Sequence, residues 1–75
     1  MSADKMESRI KGVFRGWTGS TRFHLTNGET WVQTDSSYFR IPPVLNPRVE
    51  IKKLIMGYVL RVRGYGEQVF VTRVR

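Results

Sequence analysis

The amino-acid sequence predicts a small all-β domain, and three observations lead to this prediction. The chain has 75 residues, which is enough for one domain. Apolar and polar side chains alternate with a period of two along most of it, as in half-buried strands. The dipeptide Asn27-Gly28 separates two such runs and is among the strongest sequence signals for a β-hairpin. Helical periodicity is absent, and one short helical turn is expected at Leu54–Gly57.

The elements follow in order along the chain. Residues 1–7 show no periodic pattern, so we expect a disordered polar leader there, followed by one β-barrel domain over 8–75. Six strands are predicted from alternation or from β-branched runs: 9–16, 21–26, 29–34, 48–52, 58–63 and 69–74. The segment 36–47 contains three prolines and is expected to be irregular.

These strands are too short and too close together to remain a flat sheet, because the open edges would pair with other chains. We therefore predict a small antiparallel barrel of five to six strands. An SH3-like barrel fits the succession of hairpins best, and an OB-like barrel is the alternative. The OB-fold has a helix between its third and fourth strands, for which only the proline-rich segment 36–47 leaves room.

The Asn27-Gly28 turn allows two registers. A two-residue loop pairs Phe23 with Val32, whereas a three-residue loop with the glycine in the left-handed bulge position pairs Phe23 with Trp31. The second register places Phe23, Leu25 and Trp31 on one face. Burying one such side chain stabilises a protein by about 1.5–3 kcal/mol. We therefore predict the three-residue loop.

Charge is the strongest feature of the composition. Thirteen Lys and Arg residues against six Asp and Glu residues give a net charge of +7. Residues 36–75 contain eight of the basic and two of the acidic residues, a net charge of +6. A basic surface attracts polyanions such as nucleic acid or anionic lipid. The absence of cysteine excludes disulfides and thiolate metal sites, and we predict neither a metal nor a cofactor.

The sequence gives no support for an enzyme. His24 is the only histidine. It could form a catalytic triad with Asp35 and either Ser20 or Ser36, but the sequence has no nucleophile elbow around these serines, so we do not predict one. The six carboxylates are scattered, without a spacing that indicates acid–base chemistry. Gly64-Tyr65-Gly66 lacks the third glycine and the following helix of a dinucleotide site, so we interpret it as a hairpin loop.

A basic stripe is the main candidate site. If Val49 and Ile51 on one strand and Leu60 and Val62 on another face the core, the residues between them face outward. The candidate polyanion-binding residues are then Arg48, Lys52, Arg61, Arg63, Arg73 and Arg75. The candidate aromatic platforms for base stacking are Trp17 and Tyr65. The alternative is that these basic side chains only solvate the barrel and protect its edges.

The stretch Ile10–Gln33 contains a characteristic set of residues: Gly16-Trp17, Gly19, Thr21, Phe23, Leu25, Asn27-Gly28, Trp31 and Gln33. This set resembles the signature of an uncharacterised family of small bacterial β domains. It continues through Asn46-Pro47, Gly57-Tyr58 and 69–74, and departs at Glu29-Thr30, where the family has Gln before a β-branched residue. Gln33 and Arg73 are polar residues at core-type positions, for which we predict hydrogen bonds inside or at the rim of the barrel.

The resemblance implies a C-terminal module of exported proteins and no known activity. The chain as given has no signal sequence or membrane-spanning run, so the cytoplasm is the default expectation. We predict a monomeric, non-catalytic binding or structural module that contacts a protein or cell-envelope partner. The alternative is a single-strand nucleic-acid-binding domain. Basic residues clustered on one face around an exposed aromatic would favour that alternative, and dispersal would favour the module.

Overall fold

The computed structural model describes residues 5–74, which form eight β-strands and no helix. The strands are β1 (Lys5–Arg9), β2 (Val13–Trp17), β3 (Arg22–His24), β4 (Thr30–Gln33), β5 (Phe39–Leu45), β6 (Arg48–Leu54), β7 (Gly57–Val62) and β8 (Gln68–Val74). The all-β prediction is confirmed, with more strands than the predicted five to six. Within this part of the chain there is no helix that could cross a membrane.

The strands form two antiparallel sheets rather than one closed barrel. The larger sheet has the order β1-β6-β7-β8-β4-β3, and β2 and β5 form the smaller one. The two edges of the larger sheet meet at a single bridge between Ile10 and Leu25, where backbone hydrogen bonds of 2.7 and 2.8 Å flank the pair. The edge strands do not pair along their length, so the sheet is tied at one point without closing.

The first predicted strand, 9–16, is divided between the two sheets. Between β1 and β2, the Gly12 N–H donates to the side-chain oxygen of Asn46 at 2.6 Å. The Asn46 N–H donates in return to the Gly12 carbonyl at 2.8 Å. These two bonds fix the bend that moves the chain from one sheet to the other. Alternation alone could not show this break, because Ile10 and Phe14 are both buried, in different sheets.

The segment predicted to be irregular contains β5, which passes through Pro42 and Pro43. The register of β2 and β5 shifts between Phe14 and Gly16, which pair with Val44 and Arg40. Both prolines therefore lie opposite the irregularity, where a missing N–H interrupts no regular ladder.

The disordered leader predicted for residues 1–7 is wrong for residues 5–7, which belong to β1. Lys5, Met6 and Glu7 pair with residues of β6, and Met6 packs against the core. One apolar side chain is a weak local signal, and the pairing partner lies more than forty residues away. Residues 1–4 and Arg75 lie outside the described residues.

The β3–β4 and β6–β7 hairpins have regular strand registers. Phe23 pairs with Trp31, the Leu25 N–H donates to the Glu29 carbonyl at 2.9 Å, and Gly28 has a φ of +91°. The predicted three-residue loop is therefore confirmed. The helical turn expected at Leu54–Gly57 is wrong, because these two residues pair across the end of the β6–β7 hairpin.

The core lies between the two sheets. Trp17 and Phe23, each 1% exposed, meet edge to face at 6.4 Å. Gln33 is the only buried polar side chain of residues 5–74. Its Oε1 accepts the Gly19 N–H at 2.8 Å, and its Nε2 donates to Asp35 Oδ1 at 2.8 Å. The internal hydrogen bond predicted for Gln33 is confirmed.

Candidate polyanion-binding groove

The β6–β7 hairpin presents the basic residues that the sequence analysis selected. The two strands are neighbours, and Val49 pairs with Val62 and Ile51 with Leu60. These four side chains are at most 2% exposed, so the predicted inward set is confirmed. The side chains between them lie on the opposite face, and they are the ones available to a ligand.

Three arginines lie side by side across one end of this face, and we call Arg9, Arg48 and Arg63 the arginine row. Arg9 of β1 pairs directly with Arg48 of β6. The Arg63 N–H, just beyond β7, donates to the Arg48 carbonyl at 2.9 Å. The three residues therefore lie on adjacent strand positions spaced by about 4.8 Å. All three are exposed.

Two carboxylates, Glu7 and Glu50, lie one outward pair away from this row, and Glu50 is already engaged. Glu50 lies 3.0 Å from Lys5 Nζ through Oε2 and 3.4 Å from Arg61 Nη2 through Oε1. The hydrogen bond from Lys5 lowers the pKa of Glu50 against the opposing effect of burial, and the charges of Lys5, Arg61 and Lys52 add to this. Glu50 is therefore negatively charged, and Lys5 and Arg61 both pair with it.

The arginine row has no such partner. Within residues 5–74, no carboxylate oxygen lies within 4 Å of a guanidinium nitrogen of Arg9, Arg48 or Arg63. The one hydrogen bond of an arginine-row side chain in this part of the chain runs from Arg9 Nη1 to the Asn46 carbonyl at 3.1 Å. The row therefore concentrates positive charge without a direct ion pair to a carboxylate of the described residues.

A groove of about 1040 Å³ opens along this row. Its lining includes the arginine row, Arg61, Glu7, Glu50 and the loop Gly64-Tyr65-Gly66. Tyr65 is half-buried and meets the Phe39 ring edge to face at 5.6 Å. Tyr65 also packs against the core, and the two glycines beside it have open space where a Cβ would lie. We call this feature the arginine groove.

The structure brings four of the predicted site residues together: Arg48, Arg61, Arg63 and Tyr65 line the arginine groove. Lys52 lies on the same face of β6 and outside the groove lining. Arg73 lines a second cleft, of about 460 Å³, where its Nη2 lies 3.7 Å from Glu29 Oε2. Its side chain is 60% exposed, so this pairing is at the rim of the fold.

The prediction that Trp17 is an aromatic platform for base stacking is wrong. It is 1% exposed, its ring contacts Phe39 with centroids 4.7 Å apart, and its Nε1 donates to Ser37 Oγ at 3.1 Å. A base could not reach this ring while the core is intact. The sequence could not separate Trp17 from Tyr65, because both follow a glycine in a strand-and-turn context.

Arg9 is the groove residue that sequence reasoning missed. Lys5, Glu7 and Arg9 alternate with Met6, Ser8 and Ile10, which is a period of two that begins before the predicted domain. That alternation was the available signal. The position of Arg9 opposite Arg48 depends on long-range pairing of β1 with β6, which no local pattern reveals.

Two residues that could suggest catalysis have other partners. Asp35 accepts hydrogen bonds from Gln33 Nε2, from the Ser37 N–H and hydroxyl, and from the Phe70 N–H, at 2.8–3.1 Å. Burial alone would raise its pKa, but these bonds outweigh burial and lower the pKa to about 2. His24 Nδ1 lies 3.3 Å from Thr30 Oγ1 on the exposed face of β3. Among residues 5–74, no three His, Cys, Asp or Glu side chains could hold a metal ion together.

Comparison of the chain with protein-family models, curated proteins and solved structures found no match. The resemblance to the small bacterial β family therefore stays a prediction.

Proposed function

We propose that this protein is a non-catalytic binding module and that its ligand is single-stranded nucleic acid held in the arginine groove. The observation that carries the proposal is the arginine row, three exposed guanidinium groups on adjacent strand positions with no carboxylate of residues 5–74 within 4 Å. Tyr65 lies in the same groove. The clustering of Arg48, Arg61 and Arg63 with the half-buried Tyr65 supports a polyanion binder, and Lys52 and Arg73 lie outside this cluster.

The chemistry of each group suits a nucleic-acid backbone. A guanidinium group can donate two parallel hydrogen bonds to a phosphate, and it keeps its charge at any physiological pH. A row of three spans about 10 Å across the sheet, long enough to meet successive phosphates. Neutralising phosphates releases condensed counterions, so binding gains strength from charge without any need for sequence recognition.

Tyr65 favours a single strand over a duplex. An unpaired base can stack on an aromatic ring, and the half-buried Tyr65 ring lines the groove beside two glycines that carry no side chain. The bases of a duplex are already stacked on each other and cannot reach the ring. We therefore expect the ligand to lie with its phosphates along the arginine row and one base near Tyr65.

We also infer that the domain is an SH3-like member of the small bacterial β family described above. Support comes from the positions of the signature residues: Trp17, Phe23, Leu25, Trp31 and Gln33 are all at most 4% exposed. The signature would then specify the core, whereas the arginines and the tyrosine of the groove lie outside Ile10–Gln33. Ligand preference could therefore differ between members that share the core.

The test is fluorescence anisotropy with a labelled oligothymidylate at increasing salt. We expect binding at about 50 mM salt, with a slope of log affinity against log salt of about −2 for three neutralised phosphates. The variant R48Q/R63Q should bind at least about tenfold more weakly and lower the slope to about −0.7. The matched control R15Q/R22Q removes two exposed charges outside the groove and should bind like the wild type.

Three results would overturn the proposal. The first is no binding at about 50 mM salt. The second is an equal loss in R15Q/R22Q and R48Q/R63Q, which would mean that net charge, and not the groove, attracts the strand. The third is equal affinity for a duplex of the same length, which would remove the role given to Tyr65.

A further inference from the structure

The tip of the β6–β7 hairpin is the most exposed apolar feature of the described residues. Leu54 ends β6 and pairs with Gly57, so Ile55 and Met56 form a two-residue loop. Ile55 is fully exposed, Met56 is 80% exposed and Leu54 is 36% exposed. We call Leu54, Ile55 and Met56 the hairpin tip.

This composition is unusual for its position. Two-residue hairpin loops favour Asn, Asp and Gly, and surface loops are normally polar. Three consecutive exposed apolar residues oppose both tendencies, and the described residues provide no contact that covers them. Places where a sequence breaks local rules without structural compensation are expected to be functional.

Cations surround the hairpin tip. Lys52 and Lys53, which we call the tip lysines, precede it directly and are exposed. No carboxylate of residues 5–74 lies within 4 Å of either ammonium group. Lys5, which pairs with Lys52, and Arg73 are at the same end of the sheet, where Glu50 and Glu29 bind them at 3.0 and 3.7 Å.

We propose that the hairpin tip inserts into the interface of an anionic lipid bilayer while the tip lysines contact lipid phosphates. Interfacial binding buries apolar side chains about 5–10 Å deep at the headgroup boundary, a depth that a hairpin end can reach. Lysine stems can lie along the apolar region while their ammonium groups stay at the headgroups. The attachment is peripheral and leaves the fold unchanged.

The shape and charge of the tip favour a bilayer over a protein. The tip is a convex point, and a fluid bilayer accepts a convex apolar point without a complementary pocket. The lipid phosphates supply the negative charge that the tip lysines lack in the described structure. A second copy of the chain would bring like charges together, so self-association is disfavoured.

The tip is separate from the arginine groove. Leu54 lies six residues beyond Arg48 along β6, a distance of about 20 Å in a strand. The membrane proposal therefore does not depend on the proposed function, and either can fail alone. The variant R48Q/R63Q should lose far more of its oligonucleotide binding than of its vesicle binding.

The experiment is co-sedimentation of the full chain with phosphatidylcholine vesicles, with and without phosphatidylserine. We expect binding only when phosphatidylserine is present. I55S/M56S should weaken it by at least about tenfold through lost apolar burial, and K52Q/K53Q by about fivefold per lysine. V13S/L45S is the matched control, because it removes two exposed apolar side chains on the β2–β5 sheet.

A second measurement reports insertion directly. The chain has no cysteine, so Met56→Cys carries a single polarity-sensitive fluorophore. We expect its emission to shift to the blue with phosphatidylserine vesicles, and a label at exposed Ser20→Cys to stay unchanged. Thermal unfolding should show I55S/M56S to be as stable as the wild type, since both side chains are exposed.

Several outcomes would overturn the inference. One is the absence of binding to phosphatidylserine vesicles, and another is full binding by I55S/M56S, which would make the attraction purely electrostatic. An unshifted label at position 56 would exclude insertion. Self-association that I55S/M56S abolishes, without vesicle binding, would assign the tip to a protein interface instead.

Discussion

Replacing Asp35 with asparagine removes one charge from the most connected polar group of the fold. The Asp35 carboxylate joins β4, the loop before β5 and β8, because it accepts from Gln33, Ser37 and the Phe70 N–H. Asparagine has nearly the same shape but one acceptor oxygen instead of two. Whichever way its amide turns, at least one donor of the network faces an NH₂ group.

The size of the effect follows from the pKa. The pKa of Asp35 falls from an ordinary value of 3.8 to about 2, and one pKa unit corresponds to about 1.4 kcal/mol. The charged form therefore adds about 2 kcal/mol to the free energy of unfolding above pH 4. A donor left unpaired costs about 1–3 kcal/mol. Because the lowered pKa arises from the same hydrogen bonds, the two costs overlap, and we expect Asp35→Asn to lose about 2–4 kcal/mol at neutral pH.

The direction of the pH dependence is fixed by the lowered pKa. Between about pH 4 and pH 2 the unfolded state binds more protons than the folded state at this residue, so stability decreases as the pH falls. Urea unfolding of the wild type should lose about 2 kcal/mol across this window from Asp35. Asp35→Asn should not show this loss of about 2 kcal/mol. The control Glu67→Gln, which replaces an exposed carboxylate, should still show it. Equal acid sensitivity in wild type and Asp35→Asn would refute the reasoning.

Two further predictions concern the small sheet and the groove. A Cβ at Gly16 would lie 1.8 Å from the Phe39 carbonyl oxygen, so Gly16→Ala should cost more than about 3 kcal/mol in urea unfolding. Gly28→Ala, at an open position with a similar positive φ, should cost about 1–2 kcal/mol; equal costs would contradict the close approach. Glu50→Gln frees Lys5 and Arg61, so oligonucleotide affinity should rise and the salt slope should steepen by about 0.7 per added phosphate contact. Unchanged affinity and slope would show that Glu50 does not restrain Arg61.

Local patterns predicted the parts of the fold that are local in the chain. The register of the Phe23–Trp31 hairpin followed from Asn27-Gly28 and three apolar side chains. The inward set of β6 and β7 followed from alternation on two strands of one hairpin. In each case the residues that decide the pairing are close in sequence, so the period of two fixes which face is buried.

The predictions that were wrong concern segments whose structure depends on residues distant in the sequence. β1 exists because it pairs with β6, and its own sequence holds one apolar residue, Met6. The division of 9–16 between two sheets depends on hydrogen bonds between Gly12 and Asn46. β5 tolerates its prolines because they lie opposite a register shift. The alternation within β1 indicates a strand, but none of these segments contains a signal that identifies its distant partner.

The difference between local and long-range pairing also decides which residues of the candidate site were predictable. Arg48, Arg61 and Arg63 belong to one hairpin and its end, so their common face was predictable. Arg9 joins them only through the β1–β6 register. Of the two candidate aromatic platforms, Tyr65 stays a prediction, and Trp17 is wrong because its burial depends on packing against Phe39 from the other strand of the small sheet.

The β1–β6 register gives the clearest physical reason to expect an anion at the arginine row. Every outward pair joins like charges, Lys5 with Lys52, Glu7 with Glu50 and Arg9 with Arg48, and like charges directly opposite each other destabilise a sheet. Diagonal contacts relieve the first two rows, as the 3.0 Å bond between Lys5 and Glu50 shows. The arginine row lies at the end of the sheet, beside Glu7 and beside Glu50, which Lys5 and Arg61 already engage. A bound phosphate would therefore stabilise the protein both through its own hydrogen bonds and by relieving the repulsion between neighbouring arginines.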